Sequence, residues 1–150
     1  MTTQPAVSTQ TSVAVEHLFT LTAELAAPQT VESGPQGTRV IINVTGGSVQ
    51  GARVRGTLLG PTGDWLVARP DGTLKLDVRA SIRTDDGAII LMTYHGIGSP
   101  KAEGGASVRS APLFETGDAR YAWLNNIQAI GFGEAPATME RVTYEVFALK

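Results

Sequence analysis

Hydrophobic positions in this chain recur mostly at intervals of two. Residues 12–26 alternate around Phe19 and Leu21. Residues 38–47 are β-branched up to the Gly46-Gly47 pair, and 48–60 alternate again between glycines that suggest bends or bulges. Three further runs, 64–70, 73–84 and 88–98, follow in close series, and 118–131 and 141–150 finish the chain. No segment keeps apolar spacings of three and four over a dozen residues, so long helices are not expected. The stretch 118–131 is the most helix-like, yet Tyr121, Trp123, Asn125 and Ile127 also fit a period of two, and they are assigned to a strand. Residues 99–112, rich in Gly and Ser, read as a mobile loop. Short strands punctuated by Gly, Pro and Asp predict an all-β fold, an antiparallel barrel or sandwich. About eight strands in 150 residues predict a closed or nearly closed β-barrel with a small interior and little helix.

Two turns set the register of the central strands. Arg69-Pro70-Asp71-Gly72-Thr73 presets φ at its proline and offers glycine for the left-handed position, which favours a three-residue loop closed by Arg69 and Thr73. Counting outward, Leu66 faces Leu76, Trp65 faces Asp77, and Asp64 faces Val78. Thr84-Asp85-Asp86-Gly87-Ala88 reads the same way. It places Ile82 opposite Ile90, Ala80 opposite Met92, Val78 opposite Tyr94 and Asp77 opposite His95. This register gathers Leu66, Leu74, Leu76, Val78, Ala80, Ile82, Ile90 and Met92 on one face. The other face holds Trp65, Asp77, Arg79, Thr93 and His95. Two-residue loops would shift the pairing by one place and set Asp64, Arg79 and Tyr94 in line. The first register is preferred because it leaves one face uniformly apolar.

Composition narrows the class. With 42% hydrophobic and 17% charged residues the chain is globular, and residues 12–150 form one domain behind a Thr/Gln/Ser-rich tail, 1–11, that reads as disordered. A net charge of −2 without a basic cluster argues against nucleic acid as a partner. The absence of cysteine excludes disulfides and thiolate chemistry. Two histidines without ligand spacing leave no metal site, and no phosphate-cradling glycine loop opens a helix. The N-terminus lacks a basic, apolar signal and no 18-residue apolar run occurs, so a cytoplasmic protein without a membrane partner is expected.

The marks Gly46-Gly47, Gly56, Asp64-Trp65, Asp71-Gly72, Asp77, Arg79, Thr84, Asp86-Gly87, Phe114-Glu115, Tyr121 and Trp123-Leu124-Asn125 are ordered along most of the chain. In that order and spacing the sequence resembles the domain of unknown function 3237 family, also called the UPF-0311 group, of small bacterial and fungal proteins. The resemblance implies a β-barrel of about this length, often a homo-oligomer. It implies no settled activity and no agreed catalytic residues, and His95 matches none of its marks.

The chemistry-bearing candidates are Asp77, Arg79, His95 and Tyr121 for catalysis. Asp64, Trp65, Tyr94, Glu115, Trp123 and Asn125 are candidates for ligand binding. If the face carrying Trp65, Asp77, Arg79 and His95 lines the interior, it makes an aromatic cavity with a few convergent polar groups. A desolvated Asp77 then serves as general base tuned by Arg79, with His95 opposite it as acid or base. Tyr121 and Asn125 donate to a carbonyl or enolate oxygen. Such chemistry needs no cofactor and covers isomerisation, cyclisation and lyase reactions on a small apolar or aromatic carbonyl compound. Two other readings stay open. One is a passive small-molecule binder, and the other is a structural module whose polar face is only wet, with Asp77 and Arg79 a solvated pair worth under ~1 kcal/mol.

Overall fold

The computed structural model describes residues 9–150. The expected disordered tail at 1–11 therefore lies largely outside the described residues. Ten strands run in chain order: β1 (Val15–Leu25), β2 (Gln29–Gly34), β3 (Gly37–Gln50), β4 (Arg55–Ala68), β5 (Leu74–Thr84), β6 (Ile89–Pro100), β7 (Ala106–Ser110), β8 (Leu113–Glu115), β9 (Ala129–Ala135) and β10 (Arg141–Leu149). The strand pairings are antiparallel, in the order β1-β10-β9-β7-β6-β5-β4-β3-β2. A further β1–β3 pairing, from Thr20 opposite Gln50 to Leu25 opposite Val44, closes the sheet into an eight-stranded barrel. β2 extends beyond the seam on β3, and β8 pairs with β6. Closure depends on close backbone approach at Gly47, where a Cβ would run into the Thr22 carbonyl.

Both central turns form as the residue types dictate. The Arg69 N–H donates to the Thr73 carbonyl at 2.8 Å, and the Thr84 N–H to the Ala88 carbonyl at 2.9 Å. Gly72 and Gly87 take the left-handed positions, at φ 87° and 94°. The register follows, with Asp64 opposite Val78, then Val78 opposite Tyr94, Asp77 opposite His95, and Ile82 opposite Ile90. The uniformly apolar row points inward: Leu66, Leu76, Val78, Ala80, Ile82, Ile90 and Met92 are all buried.

Two segments differ from expectation. Residues 119–126 form a single 3-10 helix rather than a strand. Asp118 caps it by accepting from the Arg120 N–H at 2.9 Å, and Tyr121 and Leu124 are its buried positions. The stretch 99–112 contains β7, whose inward positions Ala106, Val108 and Ser110 are mostly too small to give a strong alternation signal.

Connections alternate between the two ends of the barrel. The 84–88 turn, the start of β1, the end of β10 and the helix lie at one end. The 34–37, 69–73, 101–105 and 136–140 turns lie at the other. The helix end is plugged: Leu124 packs into a cluster that includes Phe19, Val54, Ile82, Ala88 and Ile90. At the opposite mouth Leu25, Val44, Leu74 and Val142 are only half-buried. Truncating the plug in Leu124→Ala should cost about 2–5 kcal/mol in urea denaturation. Exposed Ile89→Ala should stay within about 0.5 kcal/mol.

Candidate functional site

Strand alternation sends one carboxylate into the barrel. Asp64 lies two residues before buried Leu66 on the inward row of β4, opposite buried Val78, and is itself half-buried. Across Val78 on β6 stands Tyr94. From β10 comes Tyr144, on the same inward row as Val146 and Ala148. The Tyr94 and Tyr144 rings meet edge to face, with centroids 5.4 Å apart and planes at 64°. Glycine makes room for this pair, because a Cβ on Gly133 of β9, directly opposite Tyr144, would collide with its ring.

The electrostatics of this group are set by burial. Desolvation raises the Asp64 carboxyl to about 6 from an ordinary 3.8. A hydrogen bond from the Asp77 main-chain N–H opposes the rise, and the Asp77 charge adds to it. That N–H donates to Asp64 Oδ1 at 3.0 Å. Burial also drives the Tyr94 phenol well above its usual value. Tyr144 follows for the same reason, and the nearby Asp64 charge pushes both upward. At neutral pH the barrel thus holds one acid that titrates and two phenols that stay protonated.

The residues singled out in the sequence fall into three places. Asp64 and Tyr94 are in the interior. Trp65, Asp77, Arg79 and His95 lie on the outer wall, so the condition for an aromatic cavity on that face is not met. Eight aliphatic side chains compete for the interior, and their burial outweighs that of the mixed polar row. Three of the outer residues still converge: Asp77, Arg79 and His95 line a groove of about 480 Å³ with Thr93 and Leu113. His95 Nε2 sits 3.4 Å from Asp77 Oδ1 in solvent, with the His95 side chain 74% exposed. Glu115 is exposed on β8, opposite Leu91.

Tyr121, Trp123 and Asn125 belong to the helix end, away from Asp64 along the barrel axis. The Tyr121 hydroxyl donates to both Asp86 oxygens at 2.8 Å, and Arg120 reaches Asp86 at 3.3 Å, so helix and hairpin turn are tied together. The Arg53 guanidinium covers the Trp123 ring at 3.7 Å. Asn125 is engaged by Thr116, whose N–H donates to Oδ1 at 2.8 Å and whose carbonyl accepts from Nδ2 at 3.0 Å. Asp86 is therefore more than a turn residue. Tyr144 was not singled out in the sequence, although its parity with Val146 and Ala148 marks it as inward-facing.

No cluster of three His, Cys, Asp or Glu suited to a metal occurs among the described residues. Nor is any helix among them long and apolar enough to cross a membrane.

The buried acid has a measurable consequence. Folding prefers the protonated form of Asp64. Its contribution to stability is complete below about pH 4 and is lost as the pH rises through about 6. Asp64→Asn should thus gain up to about 3 kcal/mol over the wild type at pH 8 and almost nothing at pH 4. Urea midpoints at the two pH values check this.

The same architecture recurs in solved structures. A conserved protein of unknown function from Rhodopseudomonas palustris superposes with a TM-score of 0.85 at 26% identity, over 94% of this chain and 100% of that one. A crystal structure of an enzyme from Penicillium herquei gives 0.71 at 25% identity, over 97% and 100%. In sequence, a UPF0311 protein from Bradyrhizobium diazoefficiens is 31% identical over 144 residues, 87% of this chain and 93% of the relative. A hydroalkoxylation enzyme from Penicillium herquei is 37% identical over 94 residues, 62% of this chain and 56% of that protein. Residues 13–149 match the family described as protein of unknown function DUF3237, and the chain belongs to that family.

Proposed function

We propose that the protein binds a small, largely apolar carbonyl compound inside the barrel and performs acid/base chemistry on it, with Asp64 as the proton-transferring group and Tyr94 and Tyr144 as hydrogen-bond donors. The observation that carries this reading is the inward Asp64 carboxyl, raised to about 6 beside two protonated phenols. A general acid/base works best when its pKa lies near the working pH. Phenols that cannot ionise serve as fixed donors to an oxygen on which negative charge develops. The half-buried ring of Leu25, Val44, Leu74 and Val142 offers the entry. The plugged helix end, with Tyr121, Trp123 and Asn125, supports the fold in this reading rather than touching substrate.

The hydroalkoxylation activity in the name of the Penicillium relative suggests a reaction that these groups suit. Such a reaction adds an O–H across a C=C bond. For a hydroxyl-bearing enone, the Asp64 carboxylate removes the hydroxyl proton and the oxygen bonds to the β-carbon. The electron pair of the C=C bond moves to the carbonyl oxygen, where the phenols donate. Asp64 then returns its proton to the α-carbon. Every atom of the substrate is kept, and the acid ends as it began.

A second reading assigns the chemistry to the outer groove, because Asp77, Arg79 and His95 converge there. The proposal also includes a cytoplasmic setting and a homo-oligomer. Exposed Trp65, Ile97 and Phe132 on the outer wall support the latter.

Incubation with a panel of hydroxyl-bearing enones, followed by chiral chromatography, tests the proposal. Asp64→Asn should lower turnover by roughly 10²–10⁴-fold while ligand still raises the melting temperature. Tyr94→Phe should lose less. Full turnover in Asp64→Asn together with its loss in His95→Ala or Arg79→Ala would move the site to the groove. Binding without turnover in any variant would make the protein a passive binder.

A further inference from the structure

We propose that Asp77 is a positioning residue that works through the sheet: its main-chain N–H fixes the Asp64 carboxylate on the inner face, and the charge of its outward side chain adjusts how readily that carboxylate ionises. The two residues lie on adjacent strands and opposite faces, and they are joined by the 3.0 Å hydrogen bond from Asp77 N to Asp64 Oδ1. A β-sheet is one backbone thick, so no water layer separates the two carboxylates, and attenuation between them is weaker than across solvent. Asp77 therefore acts on Asp64 in two opposed ways. Its N–H favours the Asp64 carboxylate, while its own negative charge favours the Asp64 acid.

The surroundings of Asp64 make this influence specific. From β6 and β10 it faces Tyr94 and Tyr144, both neutral phenols at neutral pH. From β3 it faces Ile42. On β5, Val78 lies opposite, and Arg79 stands on the outer face beside Asp77. The nearby Arg39 guanidinium is engaged by the Trp65 carbonyl at 2.9 Å. Among the described residues Asp77 is the charged group that acts on Asp64. It is also open to control from outside. It sits in the outer groove of about 480 Å³, with the His95 imidazole 3.4 Å from its carboxylate. Burial raises Asp64 toward neutrality, and Asp77 trims the value from the solvent side.

The catalytic meaning of this coupling rests on the proposed role of Asp64, but the coupling is a property of the free protein and is measured there. The Asp64 carboxyl is followed by 13C NMR through a pH titration, without any ligand. Asp77→Asn keeps the N–H and removes the charge, so the Asp64 midpoint should fall below about 6, while burial still holds it above the ordinary carboxylate range. Raising the salt screens an exposed charge more than a buried one. The wild-type midpoint should therefore also fall with salt, and the Asp77→Asn midpoint should hold. A wild-type midpoint in folded Asp77→Asn, or an equal salt response in both proteins, overturns the proposal. If Asp77→Asn does not fold, the wild-type series decides: a falling midpoint supports the coupling and a fixed one overturns it. Absence of turnover on every substrate would sink the functional reading and leave this titration unchanged, so the two failures are distinguishable.

Discussion

In a closed sheet every second residue of every strand points into the same small volume. That constraint decides almost everything else here. The inward row must be apolar enough to exclude water, and in this chain it is, from Leu66 through Leu76, Val78, Ala80, Ile82, Ile90 and Met92. Polar residues at the same parity must find partners or titrate. Thr84 finds one in the Ala88 N–H, at 2.8 Å within its own turn. Thr62 accepts from the Ser81 N–H at 2.9 Å. Asp64 is different. It accepts a hydrogen bond from the Asp77 N–H, and its charge opposes its own burial. The barrel thus converts a position in a sequence into a perturbed acid chiefly by burying it.

The hairpins were legible because the residues that make their turns act locally. Pro70, Asp71 and Gly72 determine one loop and Asp85, Asp86 and Gly87 the next, and the register follows by counting. What lay beyond local reach was less legible. Residues 119–126 satisfy a period of two and a tight helical period about equally. Tertiary contacts decide: Asp118 caps the helix, Tyr121 reaches Asp86 from 35 residues away, and Leu124 fills the barrel end. β7 resembles a loop in sequence because Ala106 and Ser110 carry little hydrophobic signal, and its partners β6 and β9 supply the pairing instead. Asp64 and Tyr94 are recognisable from the sequence as candidates. Their third partner, Tyr144, lies 50 residues further on, and no local pattern joins it to them. The wall carrying Asp77, Arg79 and His95 was located correctly as a face, but which way a face points depends on the whole sheet.

Stability and the proposed function are in tension at one position. A barrel selected only for stability would place an aliphatic residue at 64, as it does at 66, 76 and 78. Keeping an aspartate there lowers stability at neutral pH, since its ionised form must be accommodated among buried side chains. Such local conflicts, set in an otherwise consistent core, are where functional groups are usually found. The neighbouring features point the same way. Gly133 forgoes a side chain so that the Tyr144 ring can lie across it, and the phenol is thereby delivered to the interior rather than replaced by a simpler aliphatic filler. Leucine or phenylalanine would pack there without a buried hydroxyl to satisfy.

The two ends of the barrel divide the work accordingly. At the helix end, ion pairs and hydrogen bonds are redundant. Asp86 is held by Thr84, Tyr121 and Arg120, and Asp118 is held down at about 2 by the Arg120 side chain. Asp86 and Arg120 are half-exposed, and the contribution of the group is to keep a short helix seated. Toward the mouth the polar groups are few and largely withdrawn from solvent, Tyr94 and Tyr144 hydrogen-bond each other, and the surrounding aliphatics are incompletely covered. A proton-transfer group requires this second environment. Redundant hydrogen bonding would lock its protonation state, as it does for Asp118, whereas desolvation with one hydrogen bond leaves the Asp64 proton free to leave and return near neutral pH.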